Sequence, residues 1–565
     1  MLDSLPLPLQ ALLWPLAGAA VILIAGRLLP NGLRRLVAMA AALASLSALW
    51  SLRTGAGQAV EVFWAPLGFF RSSPTLEPHN LSLLVGITLS GAVAVSVLGI
   101  RGSFPRHAVW HGLILVVLAG CLLMSMAANL PTLAIGSALV DLGLIAIAIL
   151  APGDADRTMW RMAIPGVSST LLIFLGALQM SIQVGTTSLQ ARDPPGEILL
   201  LIGLAAMLRL TIFPLHPRGL NTPESAITQI LSIGAGVYLL VRPQAIAPIL
   251  SDRPWILALG SAALLAGGLQ AWTGNRWSGF SNYQKGFVLI SAILLAGAMP
   301  WAFVGLVLAL AALGIWWDSS LEREPSPRPR WMETIVESLG GWWVQARARV
   351  RMSIPALGRW RGRPWRQQIP ALLPAIALAS LAGFPLTVGA LGRWPVYAIL
   401  LERGDAAVML AMLIADTFLA AGLWAALRLA LKQSTEHRLT PVASLSMVVL
   451  GISLVLLGIA PSSLTGALDL DTVSVPEVSV WGLGLVYVLP WLLGSWLART
   501  GPRLERYFEY VKQIVSLNWL YRMADWIGQR LAGAIYWVGR VGEGEGWWGW
   551  ALIILALGAM FLTTR

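Results

Sequence analysis

Long apolar runs separated by short polar segments repeat along almost the whole chain. Most runs reach about 20 residues, the length that an α-helix needs to cross the hydrocarbon core of a bilayer. The pattern predicts about fifteen or sixteen spanning helices and hence an all-α polytopic integral membrane protein. The predicted spans lie near 9–29, 33–52, 81–100, 108–126, 129–151, 162–185, 196–216, 224–249, 255–273, 284–300, 301–317, 370–400, 406–432, 440–460, 480–498 and 546–562.

Composition agrees with this pattern and excludes other classes. Of the 565 residues 57% are hydrophobic and only 12% are charged. A soluble domain of this composition would expose much of its apolar surface to water. The net charge of +12 comes from basic residues between the apolar runs, which indicates membrane topology and no nucleic-acid binding. The lone Cys121 permits no intrachain disulfide, zinc site or iron–sulfur cluster. We therefore expect no cofactor, metal or catalytic residue in this chain, and any redox centre belongs to partners.

Arginine and lysine concentrate in alternate loops, for example at Arg34, Arg101 and Arg157. Because positive residues stay on the cytoplasmic side, this distribution predicts that the N-terminus lies outside. The same rule places the basic, tryptophan-rich insertion 318–369 in the cytoplasm, either on the membrane or a partner or as a solvated linker. The stretch 503–540 is predicted to be an amphipathic helix along the same face.

Two spans carry an interruption and an arginine. Arg209 lies inside an apolar run five residues before Pro214, and a second run contains Gly383, Pro385 and then Arg393. Interrupted spans at matching places in two halves indicate inverted repeats with an ion path in each. The alternative is that Arg209 reaches an interface and Pro214 only kinks its helix.

Several motifs resemble a known family at these positions: FPLH at 213–216, TPESA at 222–226, GVYLLVR at 236–242, LAGFPLTVGALGRW at 381–394 and, loosely, NLPTLAIGSAL at 129–139. They are similar to motifs of the proton-translocating, antiporter-like membrane subunits of respiratory complex I, membrane-bound hydrogenases and Mrp antiporters. The resemblance implies two inverted five-helix repeats, at 108–250 and 251–435. Flanking helices at 1–107 and 436–500 and a lateral helix with an anchoring span at 501–565 would complete the chain.

The chain departs from the family pattern at its charged residues. The expected acid falls on Ala138, with Asp141 about one helical turn further along. The two expected lysines fall on Arg209 and Arg393, and a third basic position falls near Gly234. Arginine stays protonated, so it cannot pass on a proton as lysine does.

We therefore predict buried ion pairs of Arg209 with Asp141 and of Arg393 with Asp416. His216 and Lys285 are further proton-path candidates, although Lys285 could equally lie at the membrane interface.

The resemblance implies a membrane-arm subunit of a complex I-like or hydrogenase-like assembly in the cytoplasmic membrane. It would translocate protons or Na⁺ in step with electron transfer, as one component of a translocase, and contact the lipid bilayer and other membrane subunits. Two other functions stay open: a proton-inert structural subunit derived from that family, and an Mrp-type cation/proton antiporter subunit.

Overall fold

The chain is described by a computed structural model that divides into two compact units, Met1–Gly501 and Pro502–Arg565. In the first unit the structure describes residues 5–26, 28–54, 59–61, 73–100, 107–150, 154–189, 194–212, 215, 223–242, 250, 253–273, 276–294, 299–320, 365–433, 440–468, 484 and 487–500. In the second unit it describes the single positions 523, 526, 530 and 533.

Helices make up nearly all of the described part of the first unit. They are α1 (Leu7–Ala25), α2 (Asn31–Ser51), α3 (Asn80–Gly99), α4 (His107–Ser125), α5 (Leu130–Leu150), α6 (Asp154–Gln183), α7 (Gly196–Leu210), α8 (Pro223–Val241), α9 (Pro254–Thr273), α10 (Arg276–Leu294), α11 (Met299–Ser320), α12 (Trp365–Leu381), α13 (Val388–Arg403), α14 (Ala406–Gln433), α15 (Pro441–Ile459), α16 (Ser462–Leu468) and α17 (487–500). The predicted all-α class is confirmed.

The described strands form one small hairpin. Strand β1 (Val60–Glu61) pairs antiparallel with β2 (Thr75–Leu76), so that Val60 lies opposite Leu76. An isolated bridge joins Leu76 to Ala127, at the start of the turn between α4 and α5. The hairpin therefore lies at the end of the bundle where α3 and α5 begin and α4 ends.

Nine of the described helices are long and apolar enough to cross a membrane. The best enclosed is α11, whose apolar window is 94% buried, whereas the windows of α2 and α15 are only 33% buried. A helix that is apolar on every side can pack in the protein interior or against lipid, and the burial of α11 puts it in the interior. Accordingly α11 packs against α3, α8, α12, α13 and α15, and it forms the centre of the bundle.

Two successive sets of spans share one architecture. The first set comprises α4 to α8, and its fourth helix, α7, ends at Leu210 within the apolar run. In the second set, α9 to α14, the fourth span is divided into α12 and α13 by residues 382–387. This twofold occurrence is what the predicted repeats require, although their proposed boundaries remain a prediction.

Some predicted boundaries differ from the structure. Helix α10 begins at Arg276, eight residues before the predicted start at 284, because its polar residues Ser281, Gln284 and Lys285 are buried and hydrogen-bonded inside the bundle. Helix α8 ends at Val241 instead of 249. Residues 321–364, most of the predicted cytoplasmic insertion, lie outside the described residues, as does most of the predicted C-terminal helix and final span.

Candidate functional site: two buried ion pairs joined by one helix

The first ion pair connects α7 to α5. Arg209 is completely buried, and its two terminal nitrogens donate to the two carboxylate oxygens of Asp141 at 2.5 and 3.1 Å. The same guanidinium donates to the hydroxyls of Ser137 and, at 2.9 Å, Thr170. Thr170 in turn donates to Asp141 at 2.5 Å. A charge held by so many bonds has a fixed orientation.

Local spacing explains how this cluster assembles. Ser137 and Asp141 are four residues apart on α5, so they lie on one helix face. Gly166 lies four residues before Thr170 on α6, and a Cβ there would be 2.5 Å from an Asp141 oxygen. The glycine therefore lets α6 approach the ion pair closely. Beyond Arg209, Thr211 adopts φ 49° and ends α7 in the left-handed region.

The second ion pair connects α13 to α14. Arg393 donates to Asp416 at 3.1 Å, and both residues are buried. Two phenol groups also donate to this carboxylate, that of Tyr397 at 2.6 Å and that of Tyr283. The guanidinium lies over the rings of Tyr283 and Phe287, 4.9 and 5.7 Å from their centroids. Asp416 thus accepts hydrogen bonds from three donors.

Arg393 also completes the interrupted span. It donates to the carbonyls of Ala382 at 2.5 Å and Leu381 at 2.9 Å. The last carbonyls of a helix have no partner within the helix, and a cation at that end is favourable. Position 383 requires glycine for two reasons. Its φ of 70° would strain the backbone of any residue with a side chain, and an added Cβ would collide with Arg393. The second arginine is therefore built into the helix break.

Helix α10 lies between the two interruptions. Lys285 is 1% exposed, and its amine donates to Thr211 at 2.9 Å, just beyond the end of α7. One turn earlier Ser281 donates to Gln229 of α8 at 3.1 Å. The amide of Gln284 instead donates to the Leu381 carbonyl at the second break. One helix therefore contacts the polar groups at both breaks.

The structure thus brings the predicted charged residues into two pairs with Lys285 between them. Lys285 lies in the interior, so the interfacial position is wrong. Gly383 and Pro385 lie in the second break. Pro214 and His216 lie outside the described residues, so the first break is described only up to Ile212 and at Leu215.

Sequence reasoning missed the hydroxyl groups around both carboxylates: Ser137, Thr170, Tyr283 and Tyr397. Ser137 and Tyr397 had a usable signal, because each lies four residues from a predicted charge on its own helix. Thr170 and Tyr283 come from helices far away in sequence and had none. At Gly234, where the family has a basic residue, an added Cβ would be 2.6 Å from Leu89, so Leu89 occupies that space.

Among the described residues no group of three histidine, cysteine, aspartate or glutamate side chains could hold a metal ion. The two arginines and the two aspartates of the site are paired with one another. The apolar helices and the buried ion pairs across interrupted spans define a multi-pass membrane protein.

No protein-family model matches the sequence. The chain is 26% identical over 427 residues to NADH-quinone oxidoreductase subunit N of Cereibacter sphaeroides (strain ATCC 17025 / ATH 2.4.3), an alignment that covers 72% of this chain and 84% of that protein.

Solved structures share the fold at lower identity. A chain of the Mrp complex from Dietzia sp. DQ12-45-1b superposes with a TM-score of 0.73 at 17% identity, covering 99% of this chain and 63% of that chain. The present chain therefore spans less than two thirds of that neighbour. A chain of the archaeal membrane-bound sulfane sulfur reductase gives 0.68 at 15% identity, covering 98% and 99%. A chain of respiratory complex I from Thermus thermophilus gives 0.57 at 18% identity, covering 81% and 99%.

These similarities confirm the resemblance that the motifs predicted. The chain is similar in sequence to an NADH-quinone oxidoreductase subunit N, and it shares its fold with chains of the Mrp complex, the sulfane sulfur reductase and complex I. The structural neighbours are all chains of multisubunit membrane complexes, which agrees with other membrane subunits as partners.

Proposed function

We propose that this chain is a membrane-arm subunit of a complex I-like or hydrogenase-like respiratory assembly. It takes part in moving protons or Na⁺ across the cytoplasmic membrane, with its N-terminus outside and lipid around its exposed apolar faces. Electron transfer and its cofactors belong to partner subunits. The relationship to NADH-quinone oxidoreductase subunit N and the shared fold support this assignment.

The observation that carries the proposal is the position of Lys285. Both arginines are bound to carboxylates and further acceptors, and a guanidinium does not release its proton in proteins. Lys285 is equally buried, but the structure gives it a hydroxyl partner and no carboxylate within ion-pair distance among the described residues. An amine can exchange its proton, so Lys285 is the group that titrates in a path past two fixed positive charges.

A second function is favoured by a specific observation. The arginines are held rigidly, and the family's third basic position is Gly234, covered by Leu89. In a proton-inert structural subunit these features would only stabilise the bundle. Lys285 distinguishes the two functions. Burying an amine without a carboxylate partner costs free energy, and this cost brings no benefit to a subunit that only stabilises the bundle.

The test compares Lys285→Met with Ser291→Ala in the assembled complex. Ser291 is buried on the same helix and only donates to the Phe287 carbonyl, so it is a matched control. Assembly is checked on native gels, and protons moved per electron pair are measured in vesicles. We expect the methionine variant to assemble and to move fewer protons, with the control unchanged. Unchanged proton movement in both variants would support the inert subunit instead.

A separate measurement addresses the antiporter alternative. The purified chain is placed in liposomes with a sodium or potassium gradient and a pH-sensitive dye. A subunit that works only within an assembly gives no proton movement. Robust exchange by the isolated chain would favour an Mrp-type antiporter function.

A further inference from the structure

Helix α17 packs against the second helix break. The hydroxyl of Tyr487, the first residue of the range 487–500, donates to the carbonyl of Gly383. The ring of Tyr487 lies 6.4 Å from Trp394, which follows Arg393. One turn further along, Trp491 meets Phe384 edge-on at 5.4 Å. The start of α17 therefore covers the break between α12 and α13.

The middle of α17 packs against the other half of the ion pair. Gly494 lies against α14 so closely that an added Cβ would be 2.8 Å from the Thr417 carbonyl oxygen and 3.0 Å from the Ala421 nitrogen. Thr417 directly follows Asp416. Because these neighbours are backbone atoms, any side chain at 494 would push the two helices apart. Helix α17 thus contacts both elements that carry the second ion pair.

The contact made by Tyr487 has a physical reason. Three consecutive carbonyls at the end of α12 need donors, because unsatisfied backbone groups are costly where water is scarce. Arg393 serves Leu381 and Ala382, and Tyr487 serves Gly383. If Tyr487 is removed, the side-chain donors that remain for these carbonyls are Gln284, which reaches Leu381, and Arg393, whose competing partner is Asp416.

We propose that α17 is a clamp that sets the geometry of the Arg393–Asp416 pair, with Tyr487 and Gly494 as its two positioning residues. The clamp holds the α12–α13 break at one end and α14 at the other. If the clamp is loosened, the break can move relative to Asp416. The guanidinium of Arg393 then cannot bond to the Asp416 carboxylate and to the carbonyls of Leu381 and Ala382 at the same time. The functional part of this inference rests on the proposed function, whereas the clamp itself does not.

The test uses Tyr487→Phe and Gly494→Ala in the purified assembly. Phenylalanine keeps the ring and removes only the donor, so it is the milder change. The controls are Gly484→Ala, because a Cβ at 484 meets no atom within 4 Å, and Ser495→Ala, whose hydroxyl only donates to Leu492 within its own helix. Hydrogen exchange of the backbone amides at 383–388 is measured by mass spectrometry. Loss of the Tyr487 hydrogen bond should speed exchange roughly three- to tenfold in Tyr487→Phe. Gly494→Ala should also speed exchange, because its side chain pushes α17 away from α14, and neither control should change the rate.

A double-mutant cycle then connects the clamp to the ion pair. Tyr487→Phe is combined with Arg393→Lys and, separately, with Arg209→Lys, and exchange at 383–388 is compared. Residues that share one loop should give a non-additive result, whereas distant residues should add. We expect coupling with Arg393 and none with Arg209.

Exchange that stays at the wild-type rate in Tyr487→Phe would overturn the clamp. Faster exchange with unchanged proton movement per electron pair would overturn its role in positioning the pair. Faster exchange, coupling with Arg393 and reduced proton movement in both test variants would support the full inference. A wild-type assembly that moves no protons contradicts the proposed function, and it is recognised before any variant is compared.

Discussion

Tyr283 and Lys285 lie two residues apart on α10 and bind opposite halves of the buried polar system. The phenol of Tyr283 donates to Asp416 and lies against Arg393, whereas the amine of Lys285 donates to Thr211 beside Arg209's helix. Residues two apart on a helix point in very different directions, so one helix reaches two sites. In the proposed proton path, a change in the protonation of Lys285 would act on the helix that also donates to Asp416.

Removing Arg209 should be costly because Asp141 would remain buried and unpaired. Breaking one partner of a buried pair typically costs about 3 to 5 kcal/mol. We expect Arg209→Ala to lower the apparent melting temperature in detergent and to reduce assembly. Arg209→Lys keeps the charge but cannot reach Asp141, Ser137 and Thr170 together, so its melting temperature should be intermediate. Arg34→Ala, at a half-buried arginine that donates to Asn31 and lies outside both ion pairs, is the control and should behave as wild type.

A side chain at Gly166 should force the first ion pair apart. An added Cβ would be 2.5 Å from Asp141 and 3.1 Å from Arg209. Overpacking of this kind costs about 1 to 3 kcal/mol, so Gly166→Ala should unfold at a lower temperature. Gly176→Ala on the same helix meets its nearest atoms at 3.8 Å and should be neutral or stabilising. Equal melting temperatures for the two variants would contradict the close approach of α6.

Alanine substitutions at Gly383 and Gly404 distinguish the cost of backbone strain from the cost of a steric collision. Each has φ 70°, but a Cβ at 404 meets no atom within 4 Å, whereas one at 383 would collide with Arg393. Alanine in the left-handed region costs about 1 to 2 kcal/mol at either position. We expect Gly383→Ala to be clearly more destabilising in thermal unfolding, because it also displaces Arg393. If Gly383→Ala were no more destabilising than Gly404→Ala, Arg393 would have to move aside without loss of stability, which would contradict its fixed position.

His79 should make stability depend on pH. It precedes α3, outside the span, and is 3.5 Å from Glu77, which is also 3.5 Å from Arg242. Burial lowers the pKa of His79, the charge of Arg242 lowers it further, and Glu77 opposes both. The unfolded chain then binds this proton more tightly, so stability should fall as the pH drops below about 6.5.

The measurement for His79 is apparent stability against pH. His79→Gln should lose less stability on acidification than wild type, because its side chain does not titrate. The curves of stability against pH for wild type and variant should therefore differ between about pH 5 and 7. Glu77→Gln removes the group that raises the pKa of His79, so the loss should begin at the same pH, become larger and extend to lower pH. Parallel curves for wild type and His79→Gln would refute this effect.

Much of this protein was determined by local sequence. Apolar runs of sufficient length predicted the spans and the all-α class, because the bilayer accepts little else of that length and composition. Gly383 and Pro385 predicted the second interruption, and the rarity of charge in such runs identified Asp141, Arg209, Arg393 and Asp416 as candidates. Pro214 lies outside the described residues, so its part in the first interruption stays a prediction.

Tertiary structure decided what those charges do. Asp141 and Arg209 are 68 residues apart, and Lys285 and Thr211 are 74 apart, so no helical period relates them. The start of α10 at Arg276 was missed for the same reason, since its polar residues look unsuited to a membrane until their buried partners are known. Likewise, Tyr487 meets Gly383 from 104 residues away. Helix formation depends on neighbours in sequence, whereas the pairing of buried polar groups depends on which helices pack together.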